Sequence, residues 1–481
     1  MRIRRTTALL LLLLPIALGL SFASANPLLT AASLATVVLL AVLLYRPGEP
    51  PVLLFAAAMQ WLQVAAKVAQ ADFKGVPVNQ LQSFYGDLPG TIFASLLGLL
   101  VLAAGMRLGT GRLRLVPMQA AAEVALIPTA RFWRLYLLGT GVSFLLERVA
   151  APGSGLQQII LALASVKWAF LFLLVYAVMA RSQGYLYLVL AIALEVVLGF
   201  TGFFGGFKTV FFIVLIGALT AQVRLTPRLG VALASLTIGL MFLSITWSAI
   251  KSDYRAFASG GSGQQEVAVP YAERMEYLVD KVGALKSEDL QRGTDVLLAR
   301  VSYVDFLAAV FDYVPASEPH TYGARTGQAI VHVFTPRLLF PWKAPTEADS
   351  DVTRQYSGLY VSGEQQGTSI SVGYFAECYI DFGKYFMFAP IFALGLLAGW
   401  MYRFLLTRKR NLLLTRFGLA VMVLFGLGTF ETALIKLVGH LVTTFLAAWA
   451  ISHFFARRLE LGYLLKGKAA AAVGAHRSRG L

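Results

Sequence analysis

Apolar runs of about 20 residues, long enough to cross a bilayer core of about 30 Å as helices, recur along most of the chain. One long polar segment interrupts them. With 58% hydrophobic and only 14% charged residues, a chain of 481 residues has too little polar surface to cover a soluble globule. The sequence therefore predicts an all-α polytopic membrane protein.

About twelve runs meet this hydropathy criterion. They lie near residues 8–24, 28–45, 51–69, 88–106, 132–149, 157–180, 185–204, 207–222, 229–250, 385–405, 417–434 and 436–455. The predicted division is a membrane domain at 1–250 with spans 1 to 9, an outer-face loop subdomain at 251–384, spans 10 to 12 at 385–456, and a basic tail at 457–481.

The basic residues predict the orientation, because short cytoplasmic loops collect Lys and Arg. If Arg2, Arg4 and Arg5 lie inside, then the basic connections 107–131 and 403–416 and the tail lie inside too. We therefore expect a multi-pass protein of a bacterial inner membrane with both termini cytoplasmic. The net charge of +16 is spread over membrane-flanking loops, which argues against a nucleic-acid partner.

The polar segment carries 17 of the 25 acidic residues, between Asp253 and Asp381. Apolar residues at helical spacing predict helix from Tyr271 to about Val314, with Arg300 and Tyr303 three apart on neighbouring positions of one helix. After Pro315 the segment is rich in Gly, Thr, Ser and Pro and loses periodicity, which predicts a loop.

Two cations and a flat aromatic ring are concentrated in a Pro-rich stretch, Pro336-Arg337-Leu338-Leu339-Phe340-Pro341-Trp342-Lys343-Ala344-Pro345. Arg337 and Lys343 are suited to bind a diphosphate, and Trp342 to stack on a sugar ring. A second interpretation is a basic loop that anchors the chain at lipid headgroups through an interfacial Trp.

Three further cations are candidates for binding an anionic group. Lys251 and Arg255 follow the ninth predicted span, where two cations suit an anionic headgroup, although snorkelling of basic side chains at a helix end is the favoured interpretation of this pair. Lys208 follows Gly205 and Gly206 at a tight turn, where glycines allow close backbone approach.

Four apart near the tenth predicted span, Glu377 and Asp381 are expected on one helical face. Glu377 is either a general base for a sugar hydroxyl or the partner of an arginine in the polar segment. Within the membrane, Lys167 and Glu195 are expected to pair. Glu431 and Lys436 are considered in the same way.

Cysteine and histidine patterns give no support for a metal site or a disulfide. Cys378 is the only cysteine, and His320 and His332 lack the spacing of a helical zinc pair. We therefore expect no metal and no cofactor.

Taken together, these residues resemble the bacterial oligosaccharide repeat-unit polymerases, the Wzy-type or O-antigen polymerases. The resemblance depends on the order of four features, which are Lys251-Ser-Asp-Tyr-Arg255, the Arg300 helix, Thr335 to Pro345, and Gly373 to Gly383. It implies a metal-independent glycosyltransferase that moves an oligosaccharide from a polyprenyl-diphosphate donor onto a second lipid-linked unit.

The resemblance also implies roles for single residues. Its expected diphosphate ligands are Arg337, Lys343, Arg255, Arg300, Lys251 and Lys208; its sugar-stacking residues are Trp342 and Tyr303; its catalytic residues are Glu377 and Arg337. Lys208 stands where the family often has Arg. Besides the donor, the acceptor and membrane lipid, a chain-length regulator and a flippase are the partners to expect.

Three alternatives compete with the polymerase. An O-antigen ligase-like enzyme would use the same donor with a different acceptor. A flippase or transporter of lipid-linked sugars would place its polar residues near the bilayer midplane, whereas here they are concentrated outside it. The third is a scaffold subunit of an export complex.

Overall fold

Because a bilayer offers no hydrogen-bond partners, membrane-spanning backbone must satisfy its own polar groups, and a helix does so within one segment. The computed structural model describes residues 13–113, 115, 117–150, 156–200, 206–223, 227–262, 267–337, 339–340, 342–343, 346–363 and 368–466. Within these residues all regular elements are helices and no strand occurs. The all-α prediction is confirmed.

The first eleven helices occupy the part of the chain before the polar segment and run into it. They are α1 Leu13–Ser21, α2 Pro27–Leu44, α3 Val52–Lys74, α4 Leu88–Thr110, α5 Pro117–Ala125, α6 Thr129–Val149, α7 Gln157–Ala164, α8 Val166–Arg181, α9 Tyr185–Phe200, α10 Lys208–Thr220 and α11 Pro227–Ala258.

The polar segment holds six further helices, α12 Tyr271–Gly283, α13 Ser287–Val301, α14 Val304–Tyr313, α15 Ala324–Phe334, α16 Asp349–Ser357 and α17 Tyr374–Phe386. Helical structure between residues 271 and 314 was correctly predicted. However, α13 ends at Val301 and α14 begins at Val304, so Arg300 and Tyr303 do not share one helix. The prediction of a loop after Pro315 is wrong, because α15 and α16 lie there.

After the polar segment come α18 Phe388–Thr407, α19 Leu413–Leu424, α20 Leu434–Ala450 and α21 Ala456–Leu459. Gly383, with a φ of 69°, breaks α17 just before α18 begins. A π-helical stretch at residues 451–455 joins α20 to α21 and makes one long helical unit.

Six helical segments in the described residues are long and apolar enough to cross a membrane: Pro27–Leu44, Val52–Lys74, Leu88–Thr110, Gln157–Arg181, Phe388–Thr407 and Leu434–Leu464. Shorter apolar helices occur at Tyr185–Gly199, Lys208–Thr220 and Leu413–Gly428. Each of these nine overlaps a predicted span.

Helices α4 and α18 pack with their backbones in unusually close contact. A Cβ added to Gly105 or Gly109 of α4, or to Gly395 or Gly399 of α18, would lie closer than 3.0 Å to a backbone atom of the other helix. Small residues four apart on both helices allow this approach, as in other membrane helix pairs. This contact joins a helix from the first part of the chain to the first helix after the polar segment.

Two largely buried ion pairs join separate helices. Lys167 of α8 lies 3.3 Å from Glu195 of α9, as predicted. The other pair joins Lys67 of α3 to Asp305 of α14, with 2.6 Å between Nζ and Oδ2. This second pair attaches the polar segment to a candidate membrane-spanning helix.

Candidate functional site

Glu377 lies on the first turn of α17 and is almost fully buried. Its Oε2 accepts a hydrogen bond from the Leu434 amide at the start of α20, at 2.8 Å. Its Oε1 lies 3.7 Å from the guanidinium of Arg325. The predicted pairing of Glu377 with an arginine of the polar segment is confirmed, and its role as a base stays a prediction.

Asp381, one turn further along α17, binds the start of α15. Its carboxylate accepts hydrogen bonds from the backbone amides of Arg325 at 3.0 Å and Thr326 at 2.7 Å, and from the Thr321 hydroxyl at 2.6 Å. These amides would otherwise lack partners at a helix start. Both carboxylates therefore face α15, as their spacing predicted, and Asp381 fixes the helix that carries Arg325.

Arg325 links the buried carboxylate to the surface. Besides Glu377, its guanidinium contacts Glu347 at 3.4 Å and lies 5.3 Å from the centre of the Tyr356 ring. Side-chain exposure rises from 5% at Glu377 to 13% at Arg325 and 47% at Glu347. The Nε of Arg325 is buried and has no hydrogen-bond partner among the described residues, so this group retains a donor for a ligand.

A second ion pair lies beside the first. Lys436 of α20 is 2.6 Å from Asp349 at the start of α16, and the Ser369 hydroxyl donates to the same carboxylate at 2.9 Å. Glu431 instead accepts from the Gln63 amide at 2.6 Å. Glu431 and Lys436 therefore bind other partners and do not pair with each other. The Arg325 cluster, as we call it, comprises Arg325, Glu347, Asp349, Glu377 and Lys436.

Burial has the largest effect on the pKa of the Glu377 carboxyl, and the neighbouring charges act in both directions. Burial raises the pKa of its carboxyl above the ordinary value, while the Arg325 guanidinium and the Leu434 amide lower it; Asp349 and Asp381 raise it further. A general base works best when its pKa approaches the working pH. Glu377 is therefore better suited to accept a proton at neutral pH than an exposed glutamate.

Arg337, Trp342 and Lys343 lie beyond the opposite end of α15. The Lys343 ammonium donates to the carbonyls of His332 at 2.6 Å and Thr335 at 2.9 Å and thereby caps the C-terminal end of the helix. Since α15 has 11 residues, its two ends are about 16 Å apart. The structure thus separates Arg337 from Glu377, the two residues predicted to be catalytic.

The other predicted ligands are distributed over several elements. Arg255 and Lys251 are half-buried near the end of α11, and Lys208 begins α10. Tyr303 precedes α14, where its hydroxyl donates to the Ser371 carbonyl and its ring stacks on Phe306. The side chain of Arg300 lies outside the described residues. Substrate roles for these residues stay predictions.

Several other sequence features also fall outside the described residues, namely Arg2, Arg4, Arg5, Gly205, Gln264, Gln265, Leu338, Pro341, Ala344, Pro345 and the tail beyond residue 466. Within the described chain, no group of three or more His, Cys, Asp or Glu side chains is arranged to hold a metal ion.

A family profile matches residues 101–429, more than half of the chain. The chain belongs to the family described as a domain of unknown function (DUF8712). The DUF8712 match contains Arg325, Glu377 and Asp381, and it ends before Leu434 and Lys436. Comparison with curated proteins and with solved structures finds no match.

Arg325 was not predicted to be a site residue. Its surroundings, Gly323-Ala-Arg-Thr-Gly327, have the composition of a loop. The available signal was Gly327, Ile330, Val331 and Phe334 at helical spacing, which predicts a helix starting near Arg325.

Proposed function

We propose that the protein is a polysaccharide polymerase of the bacterial inner membrane, a glycosyltransferase that joins polyprenyl-diphosphate-linked oligosaccharide repeat units. In this proposal about twelve spans hold the polar segment on the outer face and both termini in the cytoplasm. The observation that carries it is the contact of Arg325 with the buried Glu377, where the polar segment meets the start of a candidate membrane-spanning helix.

The chemistry requires one proton acceptor and cations at the leaving group. The acceptor hydroxyl attacks the anomeric carbon of the donor and transfers its proton to the Glu377 carboxylate. The bond from that carbon to the diphosphate oxygen breaks, and its electron pair stays on the diphosphate. Arg325 holds Glu377 in place as a positioning residue.

Fixed cations near the leaving diphosphate would lower the barrier by electrostatic preorganisation. Lys251, Arg255, Arg300 and Lys208 are the residues proposed for this role. Arg337 and Lys343, which the sequence also suggested, lie at the end of α15 away from Glu377. Full activity in Arg337→Lys and Arg337→Ala would agree with a position outside the site, whereas equal loss in both variants would assign a catalytic role to the planar fork of arginine.

The deciding experiment is the surface polysaccharide profile of a deletion strain complemented with wild type, Glu377→Gln or Asp351→Asn. Asp351 is an exposed carboxylate paired with Arg354 and serves as the matched control. We expect Glu377→Gln to abolish the long-chain ladder while single repeat units remain attached, with Asp351→Asn unchanged. A normal ladder in Glu377→Gln would refute the base assignment.

The deletion strain also separates the alternatives. Loss of all attached units, single ones included, would indicate a ligase or a flippase. An unchanged profile would exclude a role in surface polysaccharide synthesis.

A pH profile of the purified enzyme tests the role of Arg325. Because the Arg325 charge lowers the pKa of Glu377, Arg325→Gln should move the acid limb of the rate profile to higher pH. A purely structural role would reduce the rate without moving this limb.

A further inference from the structure

Helix α15 exposes its apolar side. Ile330, Val331 and Phe334 are 50%, 60% and 75% exposed, and they follow one another at helical spacing. The same surface continues past the helix end with Leu339 and Trp342, which are 66% and 79% exposed. Five large apolar side chains within 13 residues form a patch of the kind that marks a binding surface.

The opposite side of α15 packs on α20. Ala329 is buried, and α15 and α20 are in extensive contact. Both helices begin at Glu377, which contacts Arg325 of α15 and the Leu434 amide of α20. Since α20 belongs to a candidate membrane-spanning segment, α15 packs beside a helix that is long and apolar enough to be surrounded by lipid.

The charges at the end of the stripe are all positive. No acidic residue occurs between Arg325 and Lys343, and Arg325 is already paired with Glu347 and Glu377. Lys343 lies at the C-terminal end of α15, where its ammonium donates to the carbonyls of His332 and Thr335, and Arg337 follows Thr335 by two residues. An apolar stripe that ends in cations, beside an exposed Trp, matches the profile of a lipid with an anionic headgroup.

We propose that this α15 lipid surface, made of Ile330, Val331, Phe334, Leu339, Trp342, Arg337 and Lys343, binds an anionic phospholipid of the surrounding bilayer. The apolar side chains contact the acyl chains, and Trp342 lies at the headgroup level. Arg337 binds the phosphate through its guanidinium, while Lys343 caps α15 and adds its charge. Arg337 and Trp342 thereby take bilayer lipid as partner in place of the substrate.

The test titrates lipid into the purified full-length protein and follows thermal stability. Three lipids are compared, namely phosphatidylethanolamine, phosphatidylglycerol and undecaprenyl diphosphate. We expect phosphatidylglycerol to stabilise wild type at lower concentration than phosphatidylethanolamine. Arg337→Gln should weaken the apparent affinity of the protein for phosphatidylglycerol about fivefold, which corresponds to about 1 kcal/mol for one basic residue near an anionic surface.

Arg292→Gln is the matched control, since Arg292 is a highly exposed arginine on α13 and its loss should leave the affinity unchanged. The double variant Phe334→Ser with Trp342→Ser removes the apolar contacts and should also weaken binding. Equal affinity of wild type and Arg337→Gln would overturn the proposal. Stabilisation by undecaprenyl diphosphate alone would assign the surface to the substrate and overturn it as well. No arm of this experiment measures glycosyl transfer, so failure of the lipid proposal is distinguishable from failure of the proposed polymerase activity.

Discussion

The Lys67–Asp305 pair is predicted to be the most costly single contact to break between the polar segment and the membrane helices. Their side chains are 4% and 5% exposed, and the Ser83 hydroxyl donates to the same Asp305 oxygen at 2.8 Å. Lys67→Met leaves the aspartate with this one hydrogen bond. Removing one partner of a buried pair costs about 3–5 kcal/mol. We therefore expect Lys67→Met to lose about 3–5 kcal/mol of stability at pH 7.

A double-mutant cycle with Asp305→Leu checks the reasoning, because replacing both members by apolar residues of similar volume is often close to neutral. Unfolding of each variant is followed in mild detergent. Lys281→Met, which breaks the exposed pair with Asp253, is the control and should change stability little. If the double variant were as unstable as the sum of the two single variants, the pair would not be coupled and the reasoning would be refuted.

Three further predictions follow from contacts described above. Gly399→Val forces α18 away from α4 and should cost about 1–3 kcal/mol of stability. The control Gly141→Val in α6, where an added Cβ meets nothing within 4 Å, should cost little. Equal melting temperatures of the two variants would contradict the close contact. Burial raises the folded-state pKa of Glu377 above its ordinary pKa of 4.5. The stability contributed by this group in wild type therefore falls as the pH rises above 4.5. The melting temperature of Glu377→Gln should exceed that of wild type at pH 8 and approach it at pH 5. Asp381→Ala removes the acceptor at the start of α15 and should cost about 1 kcal/mol, measured by thermal unfolding; an unchanged value would show that α15 does not need this cap.

The helices of the membrane domain could be predicted because bilayer thickness sets their length and lipid selects apolar side chains. The predicted run at 88–106, for example, lies within α4, Leu88–Thr110. The Lys167–Glu195 pair was also predictable, since neighbouring spans place the two charges at similar depth. The count of twelve spans stays a prediction.

The candidate site was harder to predict because its residues meet through tertiary contacts. Glu377 was identified from its spacing to Asp381, but its partner Arg325 lies 52 positions earlier, in a stretch whose composition indicates a loop. Lys67 and Asp305 are 238 residues apart, and no local pattern connects them. The apolar residues of α15 were not assigned to a helix because the stretch after Pro315 is rich in Gly, Thr, Ser and Pro, a composition that indicates a loop.

The glycine contact between α4 and α18 has a consequence for how the chain is made. About 280 residues separate Thr110 from Phe388, and at about 5–20 residues per second their translation takes roughly 15–55 s. During this interval α4 is already inserted, and its glycine face has no partner. A nascent chain that stops before α18 therefore displays an open groove in the membrane, by which a quality-control protease would distinguish an unfinished molecule from a complete one.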